Sequence, residues 1–147
     1  MKLAWFVSSI ALIISPLQAQ ERSDVAVTQL LSATTTSSRQ SIVLPRKDAQ
    51  VVASIYEIMP GAALPLQNHP FPRYAYVLSG TLLVNNLDTG QTNVYRPGNF
   101  ILESVGQWQT DTNSGDAPLK LLVIDVVEKG QSNTVDLKRV ASDDDPN

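Results

Sequence analysis

The chain has 147 residues, 43% of them hydrophobic, enough for one domain with one core and too few for two. Its formal charge of −3 offers no clustered Lys and Arg to meet a phosphate backbone, so nucleic-acid binding is set aside. The absence of cysteine excludes disulfides, thiolate metal sites and Cys nucleophiles.

At the start of the chain, Lys2 precedes an apolar run from Leu3 to Ile14 that Pro16 breaks. Leu17-Gln18-Ala19 then offers a small residue for cleavage before Gln20, the pattern of a secretory leader over residues 1–19. The run is shorter than the roughly 20 apolar residues a spanning helix needs, so cleavage is expected rather than a lasting membrane anchor. The expected location is therefore exported, in the periplasm or outside the cell. Residues 20–41 form a polar, Ser- and Thr-rich stretch with no helical period, read as an exposed strand or linker.

From Ile42 onward the chain alternates short apolar runs with turn residues. Ile42–Leu44, Val51–Met59, Arg73–Leu87, Thr92–Tyr95, Phe100–Val105 and Leu119–Val127 are strand-like, being rich in Val, Ile, Leu and Tyr. Pro60-Gly61, Ser79-Gly80, Asp88-Thr89-Gly90, Pro97-Gly98 and Ser114-Gly115-Asp116 punctuate them. No segment reads as an amphipathic helix. The fold class is all-β, an antiparallel barrel over residues 42–128, followed by an acidic, disordered tail over residues 129–147.

Gly61 opens a pattern that resembles the first motif of the cupin superfamily: Gly, five residues, His-x-His, three or four residues, Glu, six residues, Gly. Here Gln67-Asn68-His69, Arg73 and Gly80 stand at those landmarks. The second cupin motif is matched more loosely, with Gly98, Glu103 at the Pro position, Val105 at a Gly position, Gln109 at the His position and Asn113 at the Asn position. The resemblance covers residues 50–127 and implies a jelly-roll barrel, the double-stranded β-helix. In metal-holding cupins the two His and Glu of the first motif and the His of the second converge on an ion such as Mn, Fe, Ni or Zn.

Carried over position by position, that resemblance gives Gln67, His69, Arg73 and Gln109. His69 is a standard ligand and the sole His of the chain. A guanidinium at Arg73 repels an ion: at about 4 Å and an effective dielectric near 20, each unit of cation charge costs roughly 4 kcal/mol. The spacing also allows Tyr74, rather than Arg73, to face inward. The expectation is a degenerate metal site with no confident cofactor. Its pocket, formed by Gln67, His69, Arg73, Tyr74 and Gln109, suits a small organic anion. Three alternatives stay open: a filled barrel in which Gln67 and Gln109 bond each other, a divalent metal held loosely at His69 in an enzyme of the dioxygenase, isomerase or lyase kind, and a homodimeric interaction protein in which residues 24–44 cross between copies.

Other constellations are poorer. There is no Gly-x-Ser-x-Gly elbow to accompany the single His, so a Ser-His-Asp triad is not expected. Glu57 and Glu103 are read as exposed strand residues rather than an acid and base pair. Phe71 and Trp108 are read as core or interface filler rather than cavity lining.

Overall fold

A computed structural model describes residues 24–137. The leader expected over residues 1–19 and the end of the tail expected over residues 129–147 lie outside the described residues. Nine strands follow in chain order: β1 (Ala49–Ile58), β2 (Gln67–Asn68), β3 (Arg73–Ser79), β4 (Leu82–Asn86), β5 (Thr92–Tyr95), β6 (Phe100–Leu102), β7 (Gln109–Asn113), β8 (Leu119–Glu128) and β9 (Val135–Asp136). They form two antiparallel sheets, one ordered β1-β8-β3-β6 and the other β5-β4-β7-β2-β9. This is the all-β jelly-roll architecture expected. Among the described residues no helix is long and apolar enough to cross a membrane.

The expected hairpin about Asp88 to Gly90 joins β4 to β5, with Leu82 opposite Tyr95 and Asn85 opposite Thr92. Gly61 and Gly80 take φ values of +72° and +80°, a region where a side chain is strained. Ile42–Leu44 is not a strand; the neighbouring chain instead makes a tight turn closed by a bridge from Thr35 to Ser41. β7 went unread because Gln109-Thr-Asp-Thr-Asn113 has no apolar residue, although it alternates cleanly between buried and half-buried positions.

Alternation explains the interior. A strand buries every second side chain, and each long strand changes character along its buried face. β3 turns in Val77 and Ala75 and then Arg73; β8 turns in Leu119, Leu121 and Val123 and then Asp125; β4 turns in Leu82 and Val84 and then Asn86. Ile101 of β6 is followed by Glu103, while β7 turns in Asn113, Asp111 and Gln109. The apolar members, with Ile58, form one core cluster. The barrel therefore has an apolar floor for stability and a polar mouth.

The boundary expected at residue 128 moves. β8 ends there, but the chain turns at Gly130 and runs back along the mouth, where β9 pairs with β2 and the Leu137 N–H donates to the Leu66 carbonyl at 3.1 Å. Residues 129–137 thus belong to the barrel rather than to a disordered tail.

Candidate functional site

The barrel mouth gathers His69, Arg73, Glu103, Gln109, Asp111 and Asp125, all buried. Gln67 and Gln109 stand opposite each other on β2 and β7, yet their side chains do not bond each other. Gln67 Nε2 donates to Asp111 Oδ2 at 3.4 Å. Gln109 Nε2 donates to Glu103 Oε2 at 2.9 Å and to Asp111 Oδ1 at 3.4 Å. The two amides at the replaced His positions orient carboxylates.

Arg73 does face inward, and its charge is already matched. Nε donates to Asp125 Oδ1 at 2.7 Å and Nη2 to Asp125 Oδ2 at 3.1 Å, a two-point carboxylate clasp. Nη2 also donates to Thr134 Oγ1 at 3.1 Å, and the guanidinium carbon lies 5.7 Å from the centre of the Tyr56 ring. Burial lowers the pKa of Arg73, but the Asp125 bond and the charges of Glu103 and Asp125 outweigh it, and the net shift is upward. The guanidinium expected to capture an organic anion is spent on Asp125.

Tyr74 is corrected more sharply. One residue beyond an inward Arg73, it points to the outside of the sheet, where its ring lies 6.4 Å from that of Phe100. It takes no part in the mouth. Nor is the mouth open: His69 has 0% exposure, and Gln109 and Asp111 are buried with it. Gln67, His69, Arg73 and Gln109 lie together at the mouth, where they contact other side chains of the protein. Phe71 reaches the cluster through its main chain, and half-buried Trp108 donates its backbone N–H to Asp88 Oδ2.

Two members were missed by the sequence reading. Glu103 is buried, unlike Glu57, which sits at the surface 3.6 Å from Lys120. Asp111 follows Gln109 by two and so shares its face of β7. A ligand atom from each of His69, Glu103 and Asp111 falls within 4.8 Å of the other two. The signal was available, since the period of two that places Gln109 inward also places Asp111 inward.

His69 is held in one orientation. Its Nδ1 lies 2.7 Å from the carbonyl oxygen of Asn133, which can only accept, so Nδ1 carries a proton. That leaves Nε2 aimed at the acids, 3.1 Å from Glu103 Oε2 and 3.4 Å from Arg73 Nη1. The imidazole therefore meets a cluster that is short of positive charge.

Charge counting shows why. One guanidinium faces three carboxylates, so with Arg73 and Asp125 cancelling, Glu103 and Asp111 leave two negative charges in excess. Burial, and then the charge of Glu103, push Asp111 from 3.8 up to about 7, with His69, Arg73 and the Gln67 bond acting the other way. The site calls for added positive charge, which protons or a cation can supply. Carboxylate and imidazole are the donors that hard and borderline divalent ions take. The donor set fits such an ion, and the Asp125 clasp offsets the repulsion expected from Arg73.

Comparison with known proteins places the barrel. The family described as the cupin domain matches residues 54–125. The oxalate decarboxylase of Lactobacillus farciminis, solved with formate, superposes with a TM-score of 0.56 and 21% identity over 65% of this chain and 29% of that one. A variant of the Bacillus subtilis oxalate decarboxylase gives 0.52 and 22% over 61% of this chain and 24% of that one. A protein of Bacillus halodurans gives 0.50 and 24% over 65% and 76%. The chain thus spans less than a third of the decarboxylases, and at these identities the likeness is one of fold. No curated protein matches the sequence.

Proposed function

This chain belongs to the cupin family through residues 54–125, and from that premise we propose that it is a binding protein whose barrel mouth holds one divalent cation on His69, Glu103 and Asp111. The observation that carries this reading is the buried triad, with three ligand atoms within 4.8 Å of one another. Gln67 and Gln109 serve as orienting groups for the carboxylates, and Asn133 fixes the imidazole so that Nε2 faces the site. A cation bound here supplies the missing positive charge and ties β2, β6 and β7 together at the mouth. Binding rather than turnover is favoured, because in the closed barrel the site side chains are buried against one another with no room beside them for an organic substrate. The same closure argues against the organic-anion pocket.

The test is elemental analysis of the purified protein, as isolated and after incubation with Mn, Fe, Ni and Zn salts. The expected result is one ion per chain, lost in Glu103→Gln and in Asp111→Asn. No uptake of any of the four, or uptake unchanged in both variants, would overturn the assignment.

A second reading concerns assembly, and a specific surface supports it. The outer face of the β1-β8-β3-β6 sheet presents Val51, Ile55, Leu122, Ile124, Tyr76 and Phe100, with Val51 and Ile55 more than half exposed. A cleft of about 600 Å³ between Leu30, Leu31, Tyr74, Phe100 and Leu102 extends it. An exposed apolar sheet face continuous with an apolar cleft is a mark of an interface, and a second copy of the chain is the occupant proposed. Export rests on the leader-like residues 1–19 and belongs to the same proposal.

A further inference from the structure

The barrel mouth is covered by residues 132–137, and how that cover is fastened carries a consequence beyond cation binding itself. Of residues 129–137 only Asn133 is buried. Its carbonyl oxygen accepts from His69 Nδ1 at 2.7 Å, its Oδ1 accepts from the Phe71 N–H at 2.8 Å, and its Nδ2 donates to Asp125 Oδ1 at 2.6 Å. Thr134 accepts from Arg73 Nη2 at 3.1 Å, and β9 meets β2 over two residue pairs. The fastening is polar and local, and no large apolar side chain of the segment joins the core. Segments with few buried apolar contacts open at a fraction of the global unfolding free energy. Gly130 links β8 to the segment at φ +80°, with its N–H bonded to Gln50 Oε1 at 3.0 Å and the Gln131 N–H to the Glu128 carbonyl at 2.9 Å, so an anchored turn serves as the pivot from which the segment hangs.

We propose that residues 132–137 form a gate, swinging about Gly130, that controls passage of a hydrated divalent cation between solvent and the His69, Glu103 and Asp111 site. The gate is coupled to the site rather than merely lying over it. When Asn133 leaves, His69 loses the acceptor that fixes its orientation, Asp125 loses one donor, and Arg73 loses Thr134. Opening therefore exposes the site and loosens the imidazole in one movement; closing restores both. This rests on the cation reading above for what passes, but the gate as a moving part is testable without any ion.

The first arm is hydrogen exchange on the full mature chain without added metal. The Phe71 amide, bonded to Asn133, and the Leu137 amide, bonded to Leu66, are expected to exchange about a hundredfold faster than the Val77 and Val123 amides of the core. Exchange of all four together, through global unfolding, would overturn the gate. The second arm loads the protein with Mn²⁺, adds excess chelator and follows ion release. Asn133→Ala is expected to release the ion about tenfold faster or more, with Gln131→Ala, an exposed neighbour, unchanged. Equal release by wild type and Asn133→Ala would also overturn it. If the protein takes up no Mn²⁺ or other divalent ion, the cation reading falls and the exchange arm alone decides whether the gate opens.

Discussion

Burial and the charge of Glu103 favour the protonated form of Asp111, and Asp111→Asn exposes that proton as a pH dependence of stability. Asp111 titrates near 7 in the folded chain against 3.8 ordinarily. Between those values the folded state holds a proton that the unfolded state has released, so stability falls as pH rises and levels off above the folded value. From about pH 5 to about pH 8 the loss comes to about 3 kcal/mol, taking 1.36 kcal/mol for each unit travelled below the folded value. The amide introduced by Asp111→Asn has nothing to titrate, and that contribution to the slope disappears. The assay is urea denaturation of chelator-treated wild type and Asp111→Asn at both pH values, reading ΔG from midpoint and slope. Wild type should lose stability across the interval while the variant changes far less, becoming the more stable protein at the higher pH. Parallel behaviour of the two would refute the buried, proton-holding carboxyl. Added divalent cation should flatten the wild-type curve, because it displaces the same protons.

Asp125→Asn leaves Arg73 buried without its clasp and should cost about 3 to 5 kcal/mol in urea denaturation, since a lone buried charge is more expensive than the pair. Gly80→Ala should cost about 2 kcal/mol or more, because a Cβ there would lie 2.6 Å from Leu119 Cα at a φ of +80°. Gly61→Ala, strained but with open space, should cost about 1 kcal/mol, and equal melting shifts in the two would contradict this difference. Tyr76→Asp on the outer sheet face should convert a dimer to monomer in sedimentation without changing the core; a wild-type monomer would remove the assembly reading.

The fold was legible because it depends on β-branched runs and turn glycines, features each segment carries by itself. Gly61, Gly80 and the β4 to β5 hairpin fall where their residues indicate. The site was legible only in part. Gln67, His69, Arg73 and Gln109 were found by position, but what they touch depends on strands far apart in the chain. The resemblance directed attention to Arg73 as a positive charge and could not reveal Asp125, 52 residues later, that neutralises it. An inward Tyr74 is compatible with spacing alone, which tolerates a shift of one residue, whereas a strand does not, since such a shift reverses the face. Asp111 was overlooked because β7 is entirely polar, so no apolar alternation announced it. Asn133 left no trace in the sequence, since an Asn in a polar stretch carries no mark of burial. Composition makes such a stretch look like a tail, and only the return of the chain along β2 shows otherwise.

The ten-pair ladder between β1 and β8 has a kinetic consequence. It joins Ala49 to Glu128 and Ile58 to Leu119, so the barrel's longest pairing unites segments from opposite ends of the domain. Contacts this distant in sequence require a long loop to close before they return any energy, and barrels of this topology fold in about milliseconds to seconds rather than microseconds. During synthesis β1 has no partner until residues 119–128 emerge, and Val51, Val52 and Ile55 stay available to chaperones or to other chains throughout that interval. Completion of the last long strand, rather than collapse of the first, sets the moment at which this protein becomes a barrel.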